Sequence, residues 1–359
     1  MAQIDKYLKM VLDSHGSDLH VVAGLPIKIR VHGELEALQM APVDAAEVDR
    51  ILTEILERSD RDEFRERNEI DFAYEVKGMA RFRVNFFQHK GGMGGVFRII
   101  PHQIPPMAEL NLPRTIERFT QLRSGLVLVT GPTGSGKTTT LAAVIDQINT
   151  SQSRHMVTIE DPIEYMHSNK KSVITQREIG RDTASFPDAL RAANRQDPDV
   201  ILVGEMRDRE SIGISLSLAE MGTVVFGTLH TNNAGKTVDR IIDVFPDEQQ
   251  GQIRSQLAAS LKGVCSQLLL KRKDKRGRIP VNEILFGSSS LSNMIREGGT
   301  HKIASLIESS RGDGMQLMDD SIFSRLEDGL ITRGEALRYA SDKARFESFT
   351  EGHRTIQGK

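Results

Sequence analysis

A phosphate-binding loop is the part of this sequence whose residue types and spacing indicate chemistry most directly. Residues 131–138 read G-P-T-G-S-G-K-T, a complete G-x-x-x-x-G-K-T pattern, between an apolar run at 125–130 and a helix-like run at 139–148. Glycines in such a loop let backbone N–H groups turn towards phosphate oxygens, and the N-terminus of the following helix favours an anion. The sequence therefore predicts a nucleoside triphosphate site, in preference to a glycine-rich surface loop.

The side chains of this loop have separate expected tasks. Lys137 can reach the β- and γ-phosphate oxygens, and the Thr138 hydroxyl is placed for Mg²⁺. ATP and Mg²⁺ are therefore the expected nucleotide and metal. The predicted nucleotide contacts are Gly134, Ser135, Gly136, Lys137, Thr138 and Thr139.

Acidic residues follow other apolar runs. The run at 200–203 leads through Gly204 to Glu205, where a carboxylate can hold Mg²⁺ through water or polarise the attacking water. Glu160, Asp161 and Glu164 follow the run at 156–159, and one of them can orient water opposite the leaving diphosphate. The alternative for this second segment is a solvated turn stiffened by proline.

A histidine and a pair of arginines are further candidates. His230 follows the run at 223–228 and could hydrogen-bond a γ-phosphate or the acidic residues near it, which would let it sense ATP against ADP, or it could be a plain hydrogen-bonding residue. Arg81 and Arg83 share one face of an alternating strand, while Phe82, Val84 and Phe86 point to the other face. Such arginines can neutralise a phosphoryl-transfer transition state from a neighbouring subunit, or can simply form a solvated face. Weaker candidates are Arg98 and Arg240.

One dense basic run, residues 271–278, could touch nucleic acid or a membrane surface. No aromatic residue interleaves it for base stacking, and Gly277 suits a hairpin tip. An exposed turn is therefore the favoured interpretation.

The elements that must position these residues fall into an amino-terminal α+β part and a following α/β part. The first has helices near 2–14 and 45–67 and strands near 18–23, 27–31, 70–76, 81–87 and 96–100, with Gly91–Gly95 as a hairpin loop. Pro101, Pro105, Pro106 and Pro113 mark a linker. Alternating apolar and helical runs then predict a mostly parallel sheet covered on both faces, and the pattern becomes helical beyond about residue 287.

Composition excludes some classes of protein. The formal net charge is -2 and the pI is about 6.6, which argues against a whole-protein nucleic-acid binder. The single cysteine, Cys265, rules out an internal disulfide and a four-cysteine zinc site. The amino terminus is amphipathic and no uninterrupted apolar stretch could span a bilayer, which predicts a soluble cytoplasmic protein.

Taken together, the motifs resemble the secretion ATPase superfamily, most closely its type IV pilus retraction ATPases, the motors of twitching motility. The resemblance covers nearly the whole chain. The matching segments are the phosphate loop, the acidic box 159–165, the Walker B segment 201–208, the histidine box 227–230, and the stretches 16–20, 81–85 and 239–246.

The resemblance implies a PAS-like amino-terminal domain at 1–100, a linker at 101–113, a RecA-like ATPase core at 114–287 and a helical carboxyl-terminal region at 288–359. It also implies a homo-hexamer peripheral to the inner membrane, acting on a pilus platform protein, without nucleic acid. Glu205 and Glu164 would serve hydrolysis, and His230 would contact the nucleotide region. Arg81 and Arg83 would reach nucleotide across a subunit boundary.

Other functions stay open at this point. The motors of extension and secretion in the resembled superfamily generally carry a longer amino-terminal region and a four-cysteine zinc element. The resemblance, with the short amino-terminal domain and the single cysteine of this sequence, therefore implies a retraction motor. The segment Ser290–Glu297 matches the retraction helix A-I-R-N-L-I-R-E in its last four positions but not its first three. A paralogous accessory retraction ATPase is therefore an alternative. A nucleic-acid translocase and a non-hydrolysing nucleotide-gated scaffold are alternatives of other classes.

Overall fold

The chain folds into two compact units in a computed structural model that describes residues 2–31, 33–100 and 103–349. The first unit comprises Met1–Gln103 and Pro162–Met166, and the second comprises Ile104–Asp161 and His167–Lys359. Pro101 of the expected linker and positions 350–359 of the expected carboxyl-terminal region lie outside the described residues. The domain boundaries inferred from the sequence stay predictions.

The first unit contains a six-stranded antiparallel sheet in the order β3-β2-β1-β6-β5-β4. Its strands are β1 (Asp18–Val22), β2 (Lys28–Val31), β3 (Glu34–Ala37), β4 (Glu69–Val76), β5 (Ala80–His89) and β6 (Gly92–Ile100). Its helices are α1 (Asp5–Asp13), α2 (Ala45–Thr53) and α3 (Arg58–Arg67). Phe82, Val84 and Phe86 are fully buried, which confirms the predicted apolar face of β5.

Strands β5 and β6 form the predicted hairpin, with His89 paired to Gly92, but the predicted loop at Gly91–Gly95 is too long, because β6 already begins at Gly92. The aromatic rings of β5 explain the difference. A Cβ at Gly94 would lie 2.8 Å from the Phe87 ring, and one at Gly95 would lie 2.8 Å from the Phe86 ring. These glycines are strand residues that leave room for rings of the paired strand.

Two further details of the first unit differ from expectation. The helical stretch predicted at 45–67 is two helices, since the chain leaves helical geometry between Thr53 and Arg58. Strand β3 was not predicted. All of its residues are exposed, so it lacks the alternation of buried and exposed positions by which a strand is recognised in sequence.

The second unit contains a seven-stranded sheet in the order β13-β12-β7-β11-β10-β8-β9. All neighbouring strands pair in parallel except β12 and β13, which form an antiparallel hairpin. The strands are β7 (Gly125–Thr130), β8 (His155–Glu160), β9 (Val173–Glu178), β10 (Val200–Val203), β11 (Val224–Leu229), β12 (Leu261–Lys271) and β13 (Arg278–Phe286). The mostly parallel sheet is as predicted, whereas β9, β12 and β13 were not identified as strands.

Helices accompany this sheet and continue to the carboxyl-terminal region. They are α4 (Lys137–Ser151), α5 (Phe186–Ala193), α6 (Arg209–Glu220), α7 (Ala234–Asp243), α8 (Asp247–Ser260), α9 (Ser289–Arg296), α10 (Ile303–Ser309), α11 (Met318–Glu327), α12 (Arg333–Tyr339) and α13 (Lys343–Glu347). Short 3-10 turns occupy Met107–Glu109, Arg114–Gln121, Thr300–Lys302 and Arg311–Asp313. Within residues 2–31, 33–100 and 103–349, no helix combines the length and apolar character needed to cross a bilayer.

The parallel sheet depends on side chains buried on both of its faces, which gives a stability prediction. Phe226 on the central strand β11 has no exposed surface. We expect Phe226→Ala to lower the free energy of unfolding by about 3–5 kcal/mol, because it removes a large buried side chain and leaves a cavity. Val173→Ala on the edge strand β9, where the side chain is 57% exposed, should change it by less than about 0.5 kcal/mol. Urea unfolding followed by circular dichroism measures both, and equal effects would contradict the prediction.

Candidate nucleotide-binding site

The carboxyl ends of three neighbouring parallel strands bring the phosphate loop, His230 and Glu205 to one edge of the sheet of the second unit. Strand β11 lies between β7 and β10, with Thr130 paired to Leu229 and Val203 paired to Gly227. The Gly131 N–H donates to the Leu229 carbonyl at 3.2 Å. The phosphate loop after β7, the histidine after β11 and the glutamate after β10 therefore start at the same level of the sheet.

The glycines of the phosphate loop are required by backbone geometry and by close contacts. Gly131 has a φ of +142°, and a Cβ there would lie 2.2 Å from the Gln267 carbonyl oxygen. Gly136 has a φ of +85° and is the residue before α4, so the left-handed turn ends where the helix begins. The loop consequently places backbone N–H groups at a helix N-terminus.

The phosphate loop holds several hydrogen-bond donors. The Lys137 ammonium donates to the carbonyls of Gly131 at 2.8 Å and Pro132 at 3.2 Å. The Ser135 N–H also donates to the Pro132 carbonyl, at 3.2 Å. The Ser135 hydroxyl is buried and has no hydrogen-bond partner among the described residues. A charged donor, a backbone donor and an unpartnered hydroxyl within one loop suit an oxyanion ligand.

The carboxylate of Glu205 is held by two basic side chains. Its oxygens accept from Arg207 at 2.6 and 2.7 Å, and His230 Nε2 lies 3.0 Å from Oε1. The hydrogen bond from Arg207 is the main reason that the pKa of Glu205 lies below its usual value, and His230 contributes less. The same bond raises the pKa of Arg207. The structure thus joins Glu205 and His230, as the sequence suggested, and adds an arginine that was not foreseen.

Side-chain hydroxyl oxygens that could coordinate a hard cation are also present near the start of α4. Thr138 and Thr139 lie in its first turn, and both are half-buried. In the described ranges, no group of three or more His, Cys, Asp and Glu side chains could hold a metal. A cation here would therefore need the Thr138 hydroxyl, the Glu205 carboxylate and oxygens of a bound nucleotide.

The acidic segment after β8 divides between the two units. Glu160 is buried, and its carboxylate accepts from Thr158 at 2.7 Å and from Gln176 at 3.3 Å. Asp161 is exposed and close enough to Arg207 to raise the pKa of that guanidinium. Glu164 is exposed and belongs to the first unit. Its catalytic role remains a prediction.

The candidate arginines of the first unit differ in their surroundings. Arg81 is 9% exposed, and its Nη1 lies 3.1 Å from the Met166 sulfur. Arg83 is half-exposed, with its Nε 4.0 Å from an Asp71 oxygen. Arg98 is paired with the buried Asp18 at 2.8 Å. Their predicted contact with nucleotide across a subunit boundary is not tested by a single chain. The other weak candidate, Arg240, lies in the last turn of α7.

The basic run forms the end of the β12–β13 hairpin, with Lys271 paired to Arg278, which confirms the predicted exposed turn. Sequence reasoning missed that Arg278 donates to the Gly134 carbonyl at 3.1 Å. It also missed Gln267, whose amide donates to the Ser135 carbonyl at 2.7 Å. Both residues come from strands that the sequence did not reveal.

Glu283 on β13 is another residue that the sequence did not mark. Its carboxylate accepts from the N–H of Ala234 at 2.7 Å and from the N–H of Met318. Burial raises its pKa. Glu283 therefore ties the start of α7, which follows the His230 segment, to the start of α11. The sequence signal for Glu283 was its position as the one acidic residue within the largely apolar run at 279–286.

The family model, the related sequences and the solved structure to which this chain is similar all belong to secretion and pilus proteins. Residues 1–338 match the type II/IV secretion system protein family. The chain is 47% identical over 320 residues to the type IV pilus retractation ATPase PilT of Pseudomonas aeruginosa, covering 89% of this chain and 93% of the relative. It is 47% identical over 314 residues to the twitching motility protein of Neisseria gonorrhoeae, covering 88% of this chain and 84% of the relative. A crystal structure of the pilus retraction motor PilT with bound ADP superposes with a TM-score of 0.90 at 39% identity, covering 97% of this chain and 100% of the solved chain.

The paired carboxylate yields a prediction about pH. Because Arg207 stabilises the ionised form of Glu205, we expect Arg207→Ala to raise the pKa of Glu205. The stability that the pair contributes is present above the unfolded-state pKa and is lost as pH falls through the lower folded-state pKa. Carboxyl-carbon NMR titration of Glu205 measures the shift.

Two further variants serve as controls. His230→Ala should raise the pKa of Glu205 less, and Arg209→Ala, which alters a nearby exposed arginine, should leave that pKa unchanged. A titration unaffected by Arg207→Ala would contradict this assignment.

Proposed function

This chain belongs to the type II/IV secretion system protein family, and on that premise we propose that it is an ATP-hydrolysing motor that powers type IV pilus retraction and twitching motility. The relatives named as a pilus retractation ATPase and a twitching motility protein each match most of the chain at 47% identity. The fold is that of a secretion ATPase, with an amino-terminal domain, an ATPase domain and a helical carboxyl-terminal part.

The observation that carries the proposal is the meeting of three groups at one sheet edge. The phosphate loop, His230 and Glu205 follow adjacent parallel strands, and His230 lies 3.0 Å from the Glu205 carboxylate. Phosphoryl transfer to water needs phosphate positioning, charge neutralisation and a group that orients the water. Lys137 serves the first two tasks, and Glu205 serves the third.

Mg²⁺ fits the donor set at this edge. The Thr138 hydroxyl and the Glu205 carboxylate are hard oxygen ligands of the kind that Mg²⁺ binds together with nucleotide phosphates and water. When bound, the ion would neutralise charge on the β- and γ-phosphates. The carboxylate must then give up part of its contact with Arg207, since the arginine now occupies both of its oxygens.

The Arg207 contact also bears on Glu205 as a base. A carboxylate whose pKa is lowered by a guanidinium binds a proton weakly, so it is a poor acceptor for the proton of an attacking water. Release of Arg207, for which Asp161 is a nearby acidic group, would raise the pKa of Glu205 and improve it as a base. Hydrolysis would thus follow a local rearrangement of this ion pair.

We infer that the site is completed across a subunit boundary in a homo-hexameric ring. The arginine-bearing strand β5 and the phosphate loop belong to different units of the chain. Arg81 and Arg83 would stabilise the transition state on the nucleotide held by the next subunit. Hydrolysis would rotate the amino-terminal domain of one subunit against the ATPase domain of the next, with the proline-containing linker as hinge. The ring would lie at the inner membrane and act on a pilus platform protein.

The first test separates nucleotide binding from turnover. We expect Lys137→Ala to abolish ATP hydrolysis by weakening nucleotide binding. Glu205→Gln should lower kcat by roughly 10²–10⁴-fold, because it removes the group that accepts or orients the proton of water, while ATP still binds. Steady-state ATPase assays and nucleotide titrations measure the two effects. Full turnover in Glu205→Gln would contradict its role.

A subunit-mixing experiment tests the shared site. Lys137→Ala and the double variant Arg81→Ala with Arg83→Ala should each be inactive alone. Mixed rings should regain part of the ATPase activity, because some boundaries then join an intact phosphate loop to intact arginines. Arg65→Ala on α3, whose side chain is 79% exposed, is the matched control and should keep full activity. If the mixture stays inactive although mixed rings form, the arginines do not act across the boundary.

A retraction assay tests the cellular role. Complementation of a deletion strain with this chain should restore pilus retraction and twitching, and the Lys137→Ala form should not. Restored pilus assembly without retraction would favour an extension motor. ATPase activity that rises on addition of DNA would favour a translocase.

A further inference from the structure

The β12–β13 hairpin contacts the phosphate loop, which follows β7. In the strand order, β12 lies on one side of β7, and β10, which precedes Glu205, lies on the other side. Gln267 of β12 is 2% exposed, and its amide N–H donates to the Ser135 carbonyl at 2.7 Å. Its amide oxygen accepts from Thr140 in the first turn of α4 at 2.9 Å and from Asn282 of β13 at 3.0 Å. One buried amide thereby joins the loop, the following helix and both hairpin strands.

Arg278, the first residue of β13, makes a second contact with the loop. Its Nη1 donates to the Gly134 carbonyl at 3.1 Å. Gly134 is exposed, has a φ of +76°, and has no atom within 4 Å of a Cβ built on it. The guanidinium thus holds the Gly134 carbonyl, next to the Ser135 carbonyl that Gln267 holds.

These two bonds fix the direction of N–H groups inside the loop. In a trans peptide the C=O of one residue points opposite to the N–H of the next. Holding the Gly134 carbonyl outward keeps the Ser135 N–H directed into the loop, where it now donates to Pro132. Holding the Ser135 carbonyl likewise directs the Gly136 N–H. Both are donors of the kind that a phosphate loop offers to phosphate oxygens.

The far end of the hairpin is anchored on the carboxyl-terminal helices, so it presents Arg278 from a fixed support. Leu270, Ile279 and Val281 are fully buried in a cluster with apolar residues of α11, α12 and α13. The Lys273 N–H donates to the Leu330 carbonyl at 2.8 Å, and the Lys271 N–H donates to Glu335 at 2.8 Å. A loop that is ordered before its ligand arrives loses less conformational entropy on binding.

We propose that Arg278 is a positioning residue that sets the nucleotide affinity of its own subunit by holding the phosphate loop through the Gly134 carbonyl. The inference rests on the proposed function, since it concerns the same nucleotide site. It assigns a task to the basic run that differs from contact with nucleic acid or membrane. It also makes the carboxyl-terminal helices a part of the support of the phosphate loop.

The test compares Arg278→Ala with Arg276→Ala in the full-length protein. Arg276 is an exposed arginine of the same hairpin end, with no hydrogen bond or ion pair to any residue of 2–31, 33–100 and 103–349. We expect Arg278→Ala to raise the Kd for a fluorescent ADP analogue and the KM for ATP by roughly three- to tenfold, with kcat unchanged. Arg278→Lys, which keeps one charged donor, should recover part of the affinity. Arg276→Ala should match the unmodified chain.

Two outcomes would overturn the inference. One is an Arg278→Ala protein whose Kd and KM equal those of Arg276→Ala, and the other is a fall in kcat without a change in KM. Lys137→Ala, measured beside them, separates this failure from failure of the proposed function. If the unmodified chain binds the ADP analogue no better than Lys137→Ala does, the nucleotide site itself is wrong. If the unmodified chain binds well and only the Arg278 effect is missing, the inference alone fails.

Discussion

The parallel pairing of β7, β11 and β10 is the constraint on which the site depends. These strands are buried along their full length, and their backbone register fixes where each following loop begins. A bond from the Gly131 N–H to the Leu229 carbonyl extends that register into the phosphate loop. Because parallel strands end at one edge of a sheet, groups far apart in sequence acquire fixed relative positions there.

Charge pairing links the polar groups at this edge of the sheet to partners within the chain. The Glu205 carboxylate is ionised and shared between a guanidinium and an imidazole, while Lys137 is bonded to carbonyls of its own loop. The basic groups are thus occupied by internal acceptors. A triphosphate would replace the carbonyl acceptors of Lys137 and bring negative charge near Arg207 and His230, which weakens their hold on Glu205. In the proposed motor, nucleotide binding would in this way be coupled to the release of Glu205 from its basic partners.

The sequence predicted the centre of the site better than its support. Glu205 and His230 were found because polar residues directly after apolar runs mark strand ends, which is a local pattern. Gln267 and Arg278 contact residues 132 and 144 positions away, and only the pairing of β12 with β7 brings them there. At 91–95 the local turn signal indicated the hairpin correctly but made its loop too long, because Gly94 and Gly95 are strand residues that leave room for aromatic rings of the paired strand. Local patterns thus identified strand ends, and tertiary pairing decided the rest.

The division of the acidic segment between units bears on how a motor of this kind could couple chemistry to movement. Glu160 ends β8 in the second unit, while Pro162–Met166 groups with the first, where Met166 contacts Arg81. Glu164 and Arg81 therefore belong to one unit, and Glu205, His230 and Lys137 belong to the other. A rotation between units changes distances across this division but leaves distances within each unit unchanged. In the proposed motor, Glu205, His230 and Lys137 would thus keep their mutual distances, while the distance of Glu164 from them would change with the rotation.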